Sequence, residues 1–115
     1  MPVPPGDPLE VGPNLLLITL DTLRADHLGS YGHEVIETPH LDRLAEEGIR
    51  FEQVSSVAPL TLPSHTSILT GQYPFHHGVR DNSNFRLDGS ALTLQEVLRS
   101  AGYATGGFIG AFVLD

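Results

Sequence analysis

The segment NLLLITL (residues 14–20) is the stretch that decides the fold class. It is a continuous apolar run that contains the β-branched residue Ile18, and Pro13 precedes it. A short apolar run of this kind, with polar residues after it, is typical of a strand buried on both faces. Such strands occur in parallel sheets that helices cover, so the segment predicts an α/β protein.

Helix and strand signals then alternate along the chain. Thr38 and Pro39 match an N-cap followed by proline at the first helical position, and Gly48 ends the predicted helix. The segment IRFEQV (residues 49–54) alternates apolar and polar residues, as a half-exposed strand does. The order strand, helix, strand is the opening of a doubly wound, mostly parallel sheet covered by helices.

The next part of the chain is predicted to contain a short helix and a long loop. The helix runs from Pro63 to about Leu69, and Gly71 stops it. Residues 72–90 are polar, rich in turn residues and without a period, so we expect a surface loop.

The last part repeats the helix and strand signals. Thr93 and Glu96 have the spacing of a capping box, and Gly102 closes the helix that they begin. YATGGFIGAFVL (residues 103–114) starts as a strand and stays apolar to its end. An apolar strand edge needs a neighbour and a cover, so we expect the chain to be a fragment of a larger domain.

The composition excludes several classes of protein. Six Lys and Arg stand against fourteen Asp and Glu, which gives a formal net charge of -8 and leaves no basic run for nucleic-acid binding. The absence of cysteine excludes disulfides, thiolate nucleophiles and Cys-type zinc sites. The apolar runs are too short to cross a bilayer, and the proline-rich lead-in (residues 1–13) lacks the pattern of a signal peptide. Compartment and oligomeric state stay open.

Three residues are candidates for chemistry. Asp21 directly follows the first predicted strand, where a carboxylate can hold a metal or act as a base, or only cap a turn. Thr61 lies near a helix N-terminus, where the dipole favours an anion and a hydroxyl can be activated as a nucleophile. The alternative role for Thr61 is an N-cap. His65 is either a ligand or transition-state donor or a solvated helix residue.

Four co-linear segments together resemble the sulfatase family, which is part of the alkaline phosphatase superfamily. TLPSHTSILTGQYPFHHGV (residues 61–79) is similar to the family signature, in which a C-x-P-S-R core precedes a leucine-threonine-glycine stop and a tyrosine-proline turn. The other three are NLLLITLDTLRADHLGSYG (14–32), TPHLDRLAEEGIRFEQVSS (38–56) and LTLQEVLRSAGYATGGF (92–108). The resemblance implies that residues 14–115 are the incomplete N-terminal portion of a sulfatase-like catalytic domain.

The resemblance also implies an activity and a site. Family members hydrolyse sulfate or phosphate esters with one or two divalent cations at the strand ends. Asp21 matches the first metal-binding aspartate, and Thr22 stands where the family usually has a second one. Thr61 matches the cysteine or serine that sulfatases oxidise to formylglycine, and His65 replaces an arginine.

Threonine at this position changes the chemistry that the resemblance implies. Threonine cannot give formylglycine, and Thr61 is similar instead to the nucleophile of nucleotide pyrophosphatases, phosphodiesterases and phosphoethanolamine transferases. We therefore expect Thr61 to be both nucleophile and metal ligand, with calcium, zinc or manganese and a small-molecule sulfate or phosphate ester as partners. Family members take further ligands from downstream strands, so we expect negligible turnover from these 115 residues alone. The alternative is a non-catalytic remnant or anion-binding segment.

Overall fold

The computed structural model describes residues 12–114, so most of the predicted lead-in (residues 1–13) lies outside the described residues. The chain divides into two compact units. Leu17–Ser55 is one unit, and the described residues of the segments 1–16 and 56–115 form the other. Each unit is built on helices and turns.

The unit Leu17–Ser55 contains two 3-10 turns, Ala25–His27 and Gly29–Tyr31, followed by helix α1 (Pro39–Glu47). Helix α1 begins after Thr38 and ends at Gly48, so both predicted boundaries are confirmed. Its first turn is tied to the preceding 3-10 turn by side chains.

Thr38 and Asp42 make these ties. Thr38 Oγ1 accepts the N–H of Gly29 at 2.9 Å and lies 3.0 Å from Asp42 Oδ1, to which it donates. Asp42 Oδ1 also accepts the N–H of Ser30 at 2.6 Å. The side chains of Thr38, which precedes α1, and of Asp42 in its first turn thus satisfy two backbone donors of the 3-10 turn.

The segment after α1 is held by side chains as well. The Tyr31 hydroxyl donates to the Phe51 carbonyl at 2.8 Å, and the Arg50 guanidinium lies 5.3 Å from the centre of the Tyr31 ring. Arg50 also donates to the Ser30 carbonyl. These contacts fix the chain at residues 50 and 51 without a strand ladder.

The second unit contains helices α2 (Thr61–Thr70), α3 (Pro74–His77) and α4 (Leu94–Ser100), with a 3-10 turn at Phe112–Leu114. Helix α2 contacts α3, α4 and the final 3-10 turn. It ends at Gly71, whose left-handed backbone (φ 68°) favours glycine and whose N–H bonds to the Ser67 carbonyl at 2.8 Å. The predicted stop at Gly71 is therefore confirmed.

Two sequence predictions in this unit are wrong in detail. Helix α2 begins at Thr61, two residues before the predicted start at Pro63, because proline is compatible with the first helical turn, where it needs no backbone donor. The predicted surface loop 72–90 contains α3 and two buried residues, His77 and Val79. Proline at the start of α3 and glycine at its end support that single turn.

Helix α4 confirms its predicted boundaries. Glu96 Oε2 accepts the Thr93 N–H at 2.8 Å and the Thr93 hydroxyl at 2.5 Å, within the predicted capping box. Beyond Ser100, the Gly102 N–H bonds to the Arg99 carbonyl and the Tyr103 N–H to the Leu98 carbonyl, both at 3.0 Å. This pair of bonds is the Schellman motif, and the positive φ of Gly102 (92°) permits it.

The predicted strands are not formed. Residues 14–20, 49–54 and the segment from 103 onward are in no strand, and no strand occurs anywhere within residues 12–114. The apolar side chains of the first segment are exposed, Leu16 by 82%. A strand exists only when a neighbour takes up its N–H and C=O groups, and a doubly buried strand also needs helices on each face. The predicted doubly wound α/β sheet is thus absent from the described part of the chain.

The buried core is small. Val79 and Pro63 are the fully buried side chains of residues 12–114, and both lie in the unit that contains α2. None of the helices described has the length and apolar character that crossing a bilayer requires.

Candidate functional site

Thr61 is the first residue of α2 and is half-buried. The N-cap of this helix is Leu60, whose backbone is extended (φ −125°, ψ 142°). Thr61 is therefore not the N-cap residue of α2, and the alternative prediction that it is the N-cap is wrong.

The backbone donors of the first turn of α2 are committed to protein partners. The Leu62 N–H donates to Asn82 Oδ1 at 2.8 Å, and the Ser64 N–H donates to the Leu60 carbonyl at 3.1 Å. Pro63 has no N–H. Residues 62–64 thus offer no spare backbone N–H to an anion.

Asn82 is a residue of this site that the sequence interpretation missed. It is half-buried and lies in a turn in which the Ser83 N–H and hydroxyl both bond to Asp81 Oδ1 at 3.2 Å. This Asx-type turn presents the Asn82 amide to the start of α2. A sequence gives no local signal for such a contact, because the two partners are far apart in the chain.

His65 lies one turn after Thr61, and its Nδ1 is 2.8 Å from the Thr61 carbonyl oxygen. A carbonyl oxygen can only accept, so Nδ1 carries the proton and donates. In the neutral ring Nε2 is then an acceptor, and only the imidazolium form makes it a donor. The predicted role in binding ester oxygens therefore requires the charged form of His65.

Ser64 supports the entry into α2. Ser56 Oγ donates to the Ala58 carbonyl at 2.7 Å and lies 3.2 Å from Ser64 Oγ. Since the Ser56 proton goes to Ala58, the Ser64 hydroxyl is the donor in the pair of serines. Ser64 thus positions the segment that precedes Thr61.

Asp21 belongs to the unit Leu17–Ser55, where it is exposed in a turn. The next residue, Thr22, has φ 58°, a left-handed conformation that is uncommon for a β-branched residue. Such a conformation costs on the order of 1–3 kcal/mol and often occurs at functional sites. The structure thus marks the turn as strained at Thr22, the residue that the resemblance predicts to replace the family's second aspartate.

Metal ligands do not cluster in the described part of the chain. No group of three or more His, Asp or Glu side chains that could hold a metal ion occurs within residues 12–114. Structural and catalytic metal sites use three or more protein ligands, so the described residues do not form a complete coordination shell.

Comparison with known proteins gives matches over almost the whole chain. Steryl-sulfatase of Mus musculus is 40% identical over 111 residues, which cover 88% of this chain and 18% of that protein. Arylsulfatase A of Bos taurus is 41% identical over 99 residues, or 82% of this chain and 20% of the relative. N-acetylgalactosamine-6-O-sulfatase of Bacteroides thetaiotaomicron is 37% identical over 98 residues, with 82% and 19% covered.

The chain spans about a fifth of the length of these curated relatives. No solved structure matches it. The sequence profile of the Sulfatase family, in contrast, matches residues 13–113, the stretch that includes Asp21, Thr61 and His65. With that match and relatives near 40% identity, the chain belongs to the sulfatase family.

Proposed function

We propose that this chain is the nucleophile-bearing portion of a metal-dependent hydrolase of sulfate or phosphate esters. The observation that supports the proposal is the position of Thr61 at the start of α2, within the residues 13–113 that the family profile matches. The names of the relatives favour sulfate esters. The threonine itself favours phosphate, because it cannot supply the formylglycine that sulfatases use.

The reaction of Thr61 has two displacements. Thr61 Oγ loses its proton and bonds to the phosphorus or sulfur atom, while the bond from that atom to the leaving-group oxygen breaks and the oxygen takes up a proton. Water then attacks the covalent threonine ester and returns the hydroxyl. A divalent cation (calcium, zinc or manganese), when bound, lowers the pKa of a coordinated hydroxyl and neutralises charge on the ester.

The role proposed for Asp21 follows from the resemblance to the family, and that proposed for His65 follows from its position in the first turn of α2. Because residues 62–64 have no spare N–H group, the negative charge of the ester depends on other groups. Asp21 is proposed as a cation ligand, and the imidazolium of His65 as a donor to an ester oxygen.

The second candidate function is a non-catalytic, sulfatase-like segment. The absence of a complete ligand cluster within residues 12–114 favours it. The committed donors at the start of α2 disfavour its anion-binding form. Turnover by a protein that contains the complete domain separates the two candidates.

The experiment is a substrate panel of a sulfate ester, a phosphate monoester and a phosphodiester, each with calcium, zinc and manganese. It is run on this chain and on a complete sulfatase domain that carries it. In the complete domain, Thr61→Ala is expected to lower hydrolysis by about a thousandfold or more while metal binding persists. Thr61→Ser, the matched control, keeps the hydroxyl and is expected to retain most activity.

Three outcomes count against the proposal. Full activity of Thr61→Ala excludes Thr61 as the nucleophile. Hydrolysis of the sulfate ester without either phosphate ester shows that threonine does not select phosphorus. Absence of turnover under every condition in the complete domain favours the non-catalytic alternative.

A further inference from the structure

His77 is buried against α2, with 7% of its surface exposed. Its Nε2 lies 2.9 Å from Ser67 Oγ on α2, and its Nδ1 lies 3.1 Å from the backbone nitrogen of Val79. Val79 is itself fully buried. Both ring nitrogens are thus engaged, one with a helix and one with the chain that follows α3.

The contacts define the protonation state of the ring. A backbone N–H can only donate, so His77 Nδ1 is the acceptor and carries no proton. In the neutral imidazole the proton is then on Nε2, which donates to Ser67 Oγ. This arrangement is the reverse of a Ser–His dyad, in which Nε2 takes the proton of the serine, so Ser67 is not an activated nucleophile.

Protonation of His77 cannot preserve both contacts. A proton on Nδ1 points at the N–H of Val79, and two donors then face each other in a buried place. Titratable residues also occur on α3, on α2, in the segment after α3 and on the helix that packs on α2. They are His76 on α3, His65 on α2, Arg80 and Asp81 in the segment after α3, and Glu96 and Arg99 on α4.

We propose that neutral His77 is an acid-sensitive lock that joins α3 and the buried Val79 to helix α2. On protonation the bond from the Val79 N–H to Nδ1 breaks, so the chain that follows α3 loses its tie to the ring, while Nε2 still donates to Ser67 Oγ. The lock goes beyond ester hydrolysis and does not depend on Thr61 being a nucleophile.

The electrostatics of the site agree with the lock. Burial lowers the pKa of His77 below its ordinary value of 6.5, and a backbone hydrogen bond opposes this in part. None of the neighbouring charges contributes to that shift. A histidine whose pKa is lowered by folding stabilises the native state fully above pH 6.5 and loses that contribution as the pH falls toward the folded pKa.

The test uses the full-length chain and no activity assay. Nitrogen NMR of the imidazoles is expected to show His77 neutral, with its proton on Nε2, at about pH 7.5. Hydrogen exchange of the Val79 amide, corrected for intrinsic rates, is expected to lose about tenfold in protection when the pH falls by a unit through the transition. The Val79 amide is the direct reporter, because it is the donor that protonation displaces.

Variants assign the effect to this ring. His77→Asn keeps an acceptor for Val79 but cannot be protonated, so the loss of protection in acid is expected to disappear. His76→Asn, at the exposed neighbouring histidine, is expected to leave it unchanged. Ser67→Ala removes only the Nε2 partner and is expected to keep the acid dependence of Val79.

Three results overturn the proposal. They are a proton on Nδ1 of the neutral ring, Val79 protection that does not change with pH, and the same acid dependence in His77→Asn as in the parent. If His77→Asn does not fold, the NMR and exchange data on the parent chain still decide the matter.

Discussion

The helices and the apolar segments of this chain obey opposite rules. Helices α1 and α4 form at the boundaries that local residues predict, whereas residues 14–20 and 49–54 form no strand. A helix satisfies its backbone within the same segment, and its caps are a few residues away. A strand depends on a partner from elsewhere in the fold. Local signals therefore specify helices in part of a domain, while sheet formation requires the partner strands.

The same contrast appears in what is buried. Helix α2 buries Thr66 and Ser67, two polar residues, while large apolar side chains such as Ile49 (84% exposed) lie in solvent. The Thr66 hydroxyl bonds to the Leu62 carbonyl at 2.8 Å, so burial leaves this polar group satisfied. The buried region around α2, which includes Thr66, Ser67 and Val79, is stabilised by hydrogen bonds more than by apolar packing.

The largest expected effect on stability comes from a charge in the buried region around α2. Val79→Asp places a carboxylate in a fully buried site and is expected to destabilise the chain by about 3 kcal/mol or more. Urea unfolding measures the loss. Val97→Asp makes the same change at a residue of α4 that is 44% exposed, so it is expected to cost far less. Equal losses of unfolding free energy in the two variants would contradict the distinction between the buried region around α2 and the more exposed surface of α4.

A change of backbone conformation is expected to come second. Gly71 has φ 68° with open space around its missing side chain, so Gly71→Val tests the conformation alone and is expected to cost about 2 kcal/mol. Gly89→Val, also in open space but without a positive φ, is the matched control and is expected to cost little. Thermal or urea unfolding that shows no difference between the two variants would contradict the left-handed end of α2.

Loss of a helix cap is expected to have a smaller effect. Thr93→Ala removes the hydroxyl that bonds to Glu96 and is expected to cost about 1 kcal/mol, while Thr93→Ser is expected to cost little. The hydrogen bond from Thr93 also lowers the pKa of Glu96 below its ordinary value of 4.5. The cap contribution is therefore present above pH 4.5 and is lost as the pH falls through the folded pKa.

This acid dependence has its own measurement. Helical circular dichroism or urea unfolding between neutral and acid pH is expected to show a weaker acid limb in Thr93→Ala than in the parent. An acid limb of the same size in both chains would show that Glu96 does not act through Thr93.

The smallest effect on stability is expected in residues 14–20, which form no strand. Leu16 is 82% exposed, so Leu16→Asp is expected to change the unfolding free energy by no more than about 0.5 kcal/mol. Leu16→Ser is the control for loss of the apolar side chain without a charge. A loss of several kcal/mol on Leu16→Asp would show that residues 14–20 are a buried strand, as the sequence predicts.

The helices could be predicted from the sequence because the residues that begin and end them lie close to them in the chain. Thr38, Pro39 and Gly48 bracket α1, and Thr93, Glu96 and Gly102 bracket α4, each within a few residues of the bond it makes. Helix α3 carries the same signals, proline at its start and glycine at its end, in a stretch whose polar composition indicated a loop. The predicted strands needed partners that no local pattern supplies.

The candidate site divides in the same way. Thr61, His65 and Asp21 were predicted from their local positions and from the resemblance to the family, and their roles stay predictions. Asn82 and the Ser67–His77 pair were missed, because each is a contact between residues ten or more positions apart. Such contacts follow from the packing of α2 against its neighbours and not from the sequence around either partner.

The hydrogen bond from Leu62 to Asn82 spans 20 positions and brings the start of α2 next to the turn after α3. This bond makes residues 61–82 a closed loop whose two ends lie side by side. A head-to-tail cyclised peptide of this loop would add a covalent bond between the ends that the hydrogen bond brings together. The covalent bond would reduce the conformational entropy of the unfolded peptide. The family signature would then exist as a small synthetic macrocycle, suitable as an antigen or as a scaffold on which the residues around Thr61 can be varied.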